Sequence, residues 1–106
     1  MSKHRTNILW WGYVKRVVRE YGFFQKNPDE SYIRHFECEA VQRAINKTKL
    51  LCNGEERLKL IDLVFFKQSH SLQGASIKCF ISYETAVNWH GDFIRLVGVE
   101  MGLCRD

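Results

Sequence analysis

The sequence predicts an all-α fold, a small bundle of about five helices with a helix-turn-helix at its C-terminal end. Apolar residues recur with the 3.6-residue period of a helical face, and no segment alternates as a half-buried strand does. Residues that typically start and stop helices divide the chain into segments whose lengths are typical of α-helices. Seven glycines and one proline in 106 residues supply few of the turns that a sandwich or barrel requires. Length and an ordinary globular composition predict a single domain, 1–106.

The first predicted helix covers Ile8 to Tyr21 and ends at Gly22. Six apolar residues follow one face of it, at positions 10, 11, 14, 17, 18 and 21. Lys15, Arg16 and Arg19 occupy the other face. Either this basic face contacts an acidic partner, or it is an ordinary solvated helix surface.

The second predicted helix begins with Asn27 as N-cap, Pro28 at the first helical position, and Asp29 and Glu30 at the positive end of the helix dipole. It runs to about Leu51, and the pair Asn53-Gly54 is a stop signal. Its inward face is predicted to contain Ile33, Phe36, Ala40, Val41, Ala44 and Ile45. Residues 1–53 thus form an N-terminal helical scaffold.

The remaining residues, 55–104, are predicted to form the helix-turn-helix part. A third helix runs from Glu55 to Gln68, and a break at residues 69–71 ends with Ser71, which caps a short fourth helix from Leu72 to Cys79. Ser82 caps a last helix that runs from Tyr83 to about Met101.

The two helices around Ser82 have the pattern that a helix-turn-helix requires. Small residues lie where the helices would touch, and apolar anchors bracket the turn and continue inward; these are Gly74, Ala75, Ser76, Cys79, Ile81, Ala86 and Trp89. The outward face of the last helix is predicted to contain Tyr83, Glu84, Val87, Asn88, Gly91 and Arg95. In DNA-binding members of this motif, the first part of that face enters the major groove.

Four of these side chains suit base readout: Tyr83, Glu84, Val87 and Asn88. The amide of Asn88 can pair with the N6/N7 edge of adenine, and Glu84 can accept from cytosine N4. Tyr83 can reach a phosphate or a thymine methyl group. The alternative is two packed helices of a bundle on which Asn88 and Glu84 are merely solvated.

The charge is unevenly distributed, and this predicts where phosphates would be bound. Residues 1–53 contain ten Lys/Arg and five Asp/Glu, whereas residues 54–106 contain six and seven, within a net charge of +4. The last helix has three acids against Arg95, so the cations of the first helix are expected to supply most phosphate contacts. The predicted phosphate contacts are Ser71, Ser82, Thr85, Lys15, Arg16, Arg19, Lys67, Lys78 and Arg95.

Other classes of function have no motif in the sequence. It contains no Gly-rich phosphate loop, His-Glu-x-x-His or Gly-x-Ser-x-Gly, and His90 is expected on a helix surface rather than as a base. Its four cysteines and four histidines lack zinc-ligand spacing, so no enzyme, metal or cofactor is predicted. Widely spaced cysteines indicate a reducing cytoplasm, and the apolar run before Lys15 is too short to span a membrane.

Residues 57–103 resemble the C-terminal half of phage-encoded RinA/ArpU-like transcriptional regulators, which have a sigma-factor region 4-like helix-turn-helix. The resemblance lies in the order Ser71-Leu72-Gln73-Gly74-Ala75, then Ile81-Ser82-Tyr83-Glu84-Thr85, then Trp89 to Ile94. The opening Trp10-Trp11-Gly12-Tyr13-Val14 and the segment 43–45 resemble the N-terminal half more loosely. The resemblance to this family implies a regulator of late, packaging or lysis genes that binds double-stranded DNA in the cytoplasm of a bacterial host.

Two alternatives stay open. The first alternative to a DNA-binding regulator is a protein-interaction module that docks on RNA polymerase. The second is the DNA-recognition subunit of a phage packaging machine. The aromatic residues of the first helix (Trp10, Trp11 and Tyr13) are also compatible with self-association into a homo-oligomer.

Overall fold

The computed structural model describes residues 8–27 and 31–105, and these contain helices and short turns but no strand. The α-helices are α1 (Ile8–Lys26), α2 (Tyr32–Lys49), α3 (Gly54–Ile61), α4 (Leu72–Lys78) and α5 (Tyr83–Glu100). A π-helical turn, Asp62–Phe66, directly continues α3. The predicted all-α fold of about five helices is therefore confirmed.

Helix α1 continues past Gly22, where the sequence predicted its end, to Lys26. A glycine within a helix costs only about 1 kcal/mol, and the next turn contributes Phe24 to the interior. That ring is buried and meets the ring of His35 on α2 edge-on, with 5.0 Å between centroids. The free energy gained by burying Phe24 therefore exceeds the cost of having Gly22 within the helix.

The N-cap of α2 is Ser31, not Asn27 as predicted. Ser31 is extended, and its hydroxyl accepts a hydrogen bond from the Arg34 backbone N–H at 3.2 Å. Asn27 instead closes α1, where its backbone N–H and its side-chain amide both donate to the Phe23 carbonyl. The predicted contributions of Pro28, Asp29 and Glu30 fall outside the described residues.

The inward face of α2 is displaced from the predicted one in its first turns. Ala40, Val41 and Ala44 are buried and Ile45 is half-buried, but Ile33 is 67% and Phe36 48% exposed. Glu37 takes the buried position, because successive helical residues are about 100° apart and Phe36 is thereby turned off the buried stripe. Ile33 shares the stripe but lies one turn before Glu37, where no described helix covers it.

The π-helical turn was not predicted; the sequence indicated a regular α-helix to Gln68. The Lys67 N–H bonds the Asp62 carbonyl at 2.7 Å, the wider spacing of a π-turn. The turn lies where the chain passes between two hydrophobic clusters: Phe65 packs in one and Leu63 in the other. Its irregular winding allows neighbouring residues to face both.

Helix α5 belongs to both clusters and contacts every other α-helix. The larger cluster joins α1, α2, the end of α3, the π-helical turn and the second half of α5. Its buried members are Val14, Val17, Val18, Tyr21, Ala40, Val41, Ala44, Ile61, Phe65, Phe93, Ile94, Val97 and Met101. The smaller joins the α3 region and α4 to the first half of α5 through Leu60, Leu63, Ala75, Ala86 and Trp89. Burial of this much apolar surface fixes the orientation of α5.

Candidate nucleic-acid interface

Helices α4 and α5 are joined by a four-residue turn and are both capped by serines, as predicted. The Ser71 hydroxyl accepts from the Gly74 N–H at 3.1 Å, and the Ser82 hydroxyl accepts from the Thr85 N–H at 3.0 Å. Between the helices, Phe80 adopts a left-handed conformation with φ of 59°. This reverses the chain tightly at the position where a glycine is the usual residue.

Small side chains bring α4 and α5 into contact. Ala75, Ser76 and Ala86 are buried, and the Ser76 hydroxyl donates to the Gln73 carbonyl at 2.6 Å. The predicted anchors Cys79 and Ile81 are half-buried and pack against the smaller cluster, and Trp89 is a buried member of it. The helix pair therefore packs against α3 and the π-helical turn, and a separate hydrophobic cluster lies between these elements.

The four predicted base-reading residues are exposed on the first two turns of α5. They are Tyr83, Glu84, Val87 and Asn88. Residues three and four apart on a helix are neighbours, so the four form one continuous surface. Arg95, two turns further on, is exposed as well.

Gly91 does not belong to this open face, contrary to the prediction. It is half-buried, and the indole of Trp11 lies 3.7 Å from where a β-carbon of Gly91 would stand. The indole of Trp10 lies against Gly98 in the same way, 2.5 Å from the corresponding point. The two tryptophans of α1 thus pack along one side of α5, against residues that have no side chain.

The predicted cations of α1 are divided between two sides of the helix. Lys15 lies near His90 of α5, and the Arg19 carbonyl accepts from the Gln68 side chain at 3.5 Å. Arg16 is on the α2 side, where it pairs with Glu20 at 3.2 Å. Lys15 and the backbone of Arg19 therefore lie on the sides of α1 that face α5 and residue 68, whereas Arg16 pairs on the α2 side.

The other predicted phosphate contacts differ in whether they already have an ion-pair or hydrogen-bond partner within the domain. Lys67 pairs with Asp62 at 3.3 Å, whereas Lys78 and Arg95 are exposed and form no ion pair with any described residue. The Ser82 hydroxyl lies 2.9 Å from the Thr85 hydroxyl and donates to it. This leaves the Thr85 proton available to an acceptor from outside.

Two of the three acids of α5 are paired with cations from other helices, which sequence reasoning missed. Arg57 of α3 lies 3.3 Å from the Asp92 carboxylate and stacks over the Trp89 ring. Arg43 and Lys47 of α2 both bond the Glu100 carboxylate, which lowers its pKa. Glu84 is thus the α5 acid without an ion pair in the described part of the chain.

His90 is half-buried, not a surface residue as expected. Its ring stacks on Phe65 of the π-helical turn, with centroids 5.1 Å apart and planes 19° apart. Burial, and to a lesser extent the nearby Lys15 charge, lower the pKa of His90 to about 4. The ring is therefore neutral at pH 7 and adds no charge to this surface.

The fold and site define an all-helical domain in which two packed helices present a mixed polar and apolar helix face. Comparisons with known protein families, curated proteins and solved structures found no match. The resemblance to RinA/ArpU-like regulators therefore stays a prediction. Within the described ranges, every helix is too short or too polar to cross a membrane.

Proposed function

We propose that this domain is a sequence-specific double-stranded-DNA-binding transcriptional regulator, of phage or prophage late, packaging or lysis genes. In this proposal the first half of α5 enters the major groove. Asn88 and Glu84 read base edges, and Tyr83 and Val87 make apolar contacts. The genes it would control are inferred from the resemblance alone.

The observation that carries the proposal is the exposed, continuous face of Tyr83, Glu84, Val87 and Asn88 on a helix that two apolar clusters hold in place. A reading helix must be rigid, because a hydrogen bond to a base edge tolerates little displacement. Pairing of Asp92 and Glu100 within the domain further reduces the repulsion that α5 would exert on DNA phosphates.

Phosphate contacts are assigned to cations of α1, α4 and α5 that have no ion pair with a described residue. They are Lys15, Arg19, Lys78 and Arg95, assisted by Lys67 and by the Ser71, Ser82 and Thr85 hydroxyls at the starts of α4 and α5. Arg16 has a lesser part, since it pairs with Glu20 on the α2 side of α1. The proposal thereby assigns phosphate contacts to particular residues, where the sequence alone gave only an excess of positive charge.

The test compares three variants on a DNA sequence selected from a random pool by the wild type. Asn88→Ala should lose about 1–3 kcal/mol and relax the preference at one base pair. Arg19→Ala should weaken binding to all sequences and reduce the salt slope by about one. Lys49→Ala is the matched control, because α2 ends beside the last turn of α5, away from the reading face.

Binding that both Asn88→Ala and Arg19→Ala leave unchanged would overturn the proposal. Folding of each variant is checked by circular dichroism. All three side chains are exposed, so their removal should leave the melting temperature unchanged.

A second candidate is the protein-interaction module that docks on RNA polymerase, which an exposed apolar face at the start of α2 favours. Tyr32, Ile33 and Phe36 are exposed there on neighbouring positions. In a reconstituted transcription assay this function should be lost in Ile33→Glu and retained in Asn88→Ala. The opposite result favours DNA readout.

A further inference from the structure

Two large apolar side chains outside the predicted reading face are strongly exposed at the turn between α4 and α5. Ile77, in the last turn of α4, is 70% exposed, and Phe80, in the turn itself, is 93% exposed. They precede Tyr83 and Val87, which are also exposed. These four exposed apolar side chains follow one another along the segment 77–87, and we call them the turn surface: Ile77, Phe80, Tyr83 and Val87.

The fold accounts for the left-handed backbone at residue 80, which follows the C-cap of α4, but not for a phenylalanine at that position. Its φ of 59° lies in the left-handed region, which a bulky residue rarely adopts and which a glycine would adopt without strain. The turn is closed by backbone hydrogen bonds, from Phe80 N–H to the Ile77 carbonyl and from Ile81 N–H to the Ser76 carbonyl. A strained position occupied by an exposed aromatic ring indicates a contact outside the domain.

The polar groups beside the turn surface, the cation Lys78, the acid Glu84 and the amide Asn88, fit the mixed donors and acceptors of a nucleic-acid groove. Lys78 lies between Ile77 and Phe80 in the chain and forms no ion pair with a described residue. Asn88 and Glu84, the candidates for base-edge hydrogen bonds, share the helix turns of Tyr83 and Val87. An apolar surface with hydrogen-bonding groups and a free cation at its edge matches a major groove, which displays base edges, thymine methyl groups and bordering phosphates.

We propose that the turn surface reads the C5-methyl groups of thymine, with Phe80 and Ile77 as specificity-determining residues. The proposal rests on the proposed function, because it requires α5 to lie in the major groove. It extends readout from α5 to the preceding turn and assigns the domain to sites that contain thymine next to the base pairs read by Asn88 and Glu84.

The experiment removes the methyl groups from the DNA. The wild type selects a duplex from a randomised pool, and the selected duplex is then synthesised with thymine or with uracil, which pairs identically but lacks the methyl group. The wild type should bind the thymine duplex more tightly, by about fourfold for each methyl group it buries. Phe80→Ala and Ile77→Ala should each reduce this ratio toward one.

Two controls separate the turn surface from general effects. Phe23→Ala removes an exposed phenylalanine near the end of α1 and should keep the full thymine-to-uracil ratio. Asn88→Ala should weaken binding to both duplexes equally. Because Phe80 and Ile77 are exposed, their variants should fold normally, which circular dichroism and thermal melting check.

Equal binding of the two duplexes by the wild type, with Asn88→Ala still weakening both, overturns this inference and leaves the proposed function intact. A full thymine-to-uracil ratio in both Phe80→Ala and Ile77→Ala also overturns the inference. If the wild type selects no sequence and Asn88→Ala has no effect, the proposed function fails and this inference fails with it.

Discussion

Gly54 is the position at which the structure predicts the sharpest effect of a single added methyl group. It is the buried first residue of α3, directly beneath the end of α2. A β-carbon there would lie 2.5 Å from the Thr48 carbonyl oxygen and 2.7 Å from that of Lys49. Both obstacles are backbone atoms, so no side-chain rotation relieves the contact.

The expected magnitude for Gly54→Ala follows from two opposing terms. Overpacking of this kind costs about 1–3 kcal/mol, and here one or both helices must shift before contact distances become normal. Alanine recovers at most about 1 kcal/mol through its smaller backbone entropy loss, and less at the end of a helix. We therefore expect a net loss of about 2 kcal/mol in the free energy of unfolding.

The assay is equilibrium unfolding in urea, followed by circular dichroism, with Gly12→Ala as the matched control. Gly12 is exposed within α1, and no atom from another described part of the chain lies within 4 Å of its β-carbon position. Its substitution should stabilise the protein by about 0.5–1 kcal/mol, because the helix-propensity gain is unopposed. The reasoning is refuted if both variants shift the urea midpoint in the same direction by the same amount.

Three further substitutions test other contacts. Phe80→Gly should raise the free energy of unfolding by about 1 kcal/mol, because it relieves left-handed strain at an exposed position. Phe80→Ala keeps that strain and should not raise it, so equal urea midpoints of the two variants would contradict this. Tyr13→Phe should cost about 1–3 kcal/mol in the same assay, because it leaves the buried Glu37 carboxylate without its donor, and a neutral effect would refute this. Hydrogen bonding from Lys47 and Arg43 lowers the pKa of Glu100, so its stabilising effect is present at neutral pH and lost as pH falls through that lowered pKa. Glu100→Gln should therefore destabilise at pH 7 and much less in acid, where the Glu100 carboxyl is protonated in the folded state as well. A pH-independent difference in urea midpoint would argue against this ion pair.

At high pH the group that changes stability is Tyr13, whose pKa is raised in the folded state, whereas that of Glu100 is lowered. Burial and the hydrogen bond to Glu37 raise the pKa of Tyr13 to about 12, so its neutral form is favoured in the folded state. Its contribution to stability is complete below about pH 10 and is lost as pH rises toward 12. In Tyr13→Phe, this part of the alkaline loss of stability should be absent, which urea unfolding at pH 9 and pH 11.5 measures.

Charge shows how far a sequence count can mislead. Read along the chain, α5 has three acids against Arg95, which suggests a helix that repels DNA. In the fold, Asp92 and Glu100 are paired with cations that come from α3 and α2. A charge count of one helix is therefore a poor measure of the field in front of it, since that field includes every cation packed nearby.

The sequence by itself determined the helical class and the order of the helices, the Ser71 and Ser82 caps and the exposed face from Tyr83 to Asn88, but not every helix boundary or the π-helical turn. These features depend on residues within about one helical turn of each other, so local pattern is sufficient to predict them. Only the tertiary structure decided which residues lie beside α5. The Arg57–Asp92 and Arg43–Glu100 pairs join residues 35 and 57 positions apart, and Trp11 covers Gly91 from the other end of the chain. Such contacts arise when burial of apolar surface brings distant helices together, and the spacing of residues in one helix has no information about its neighbours.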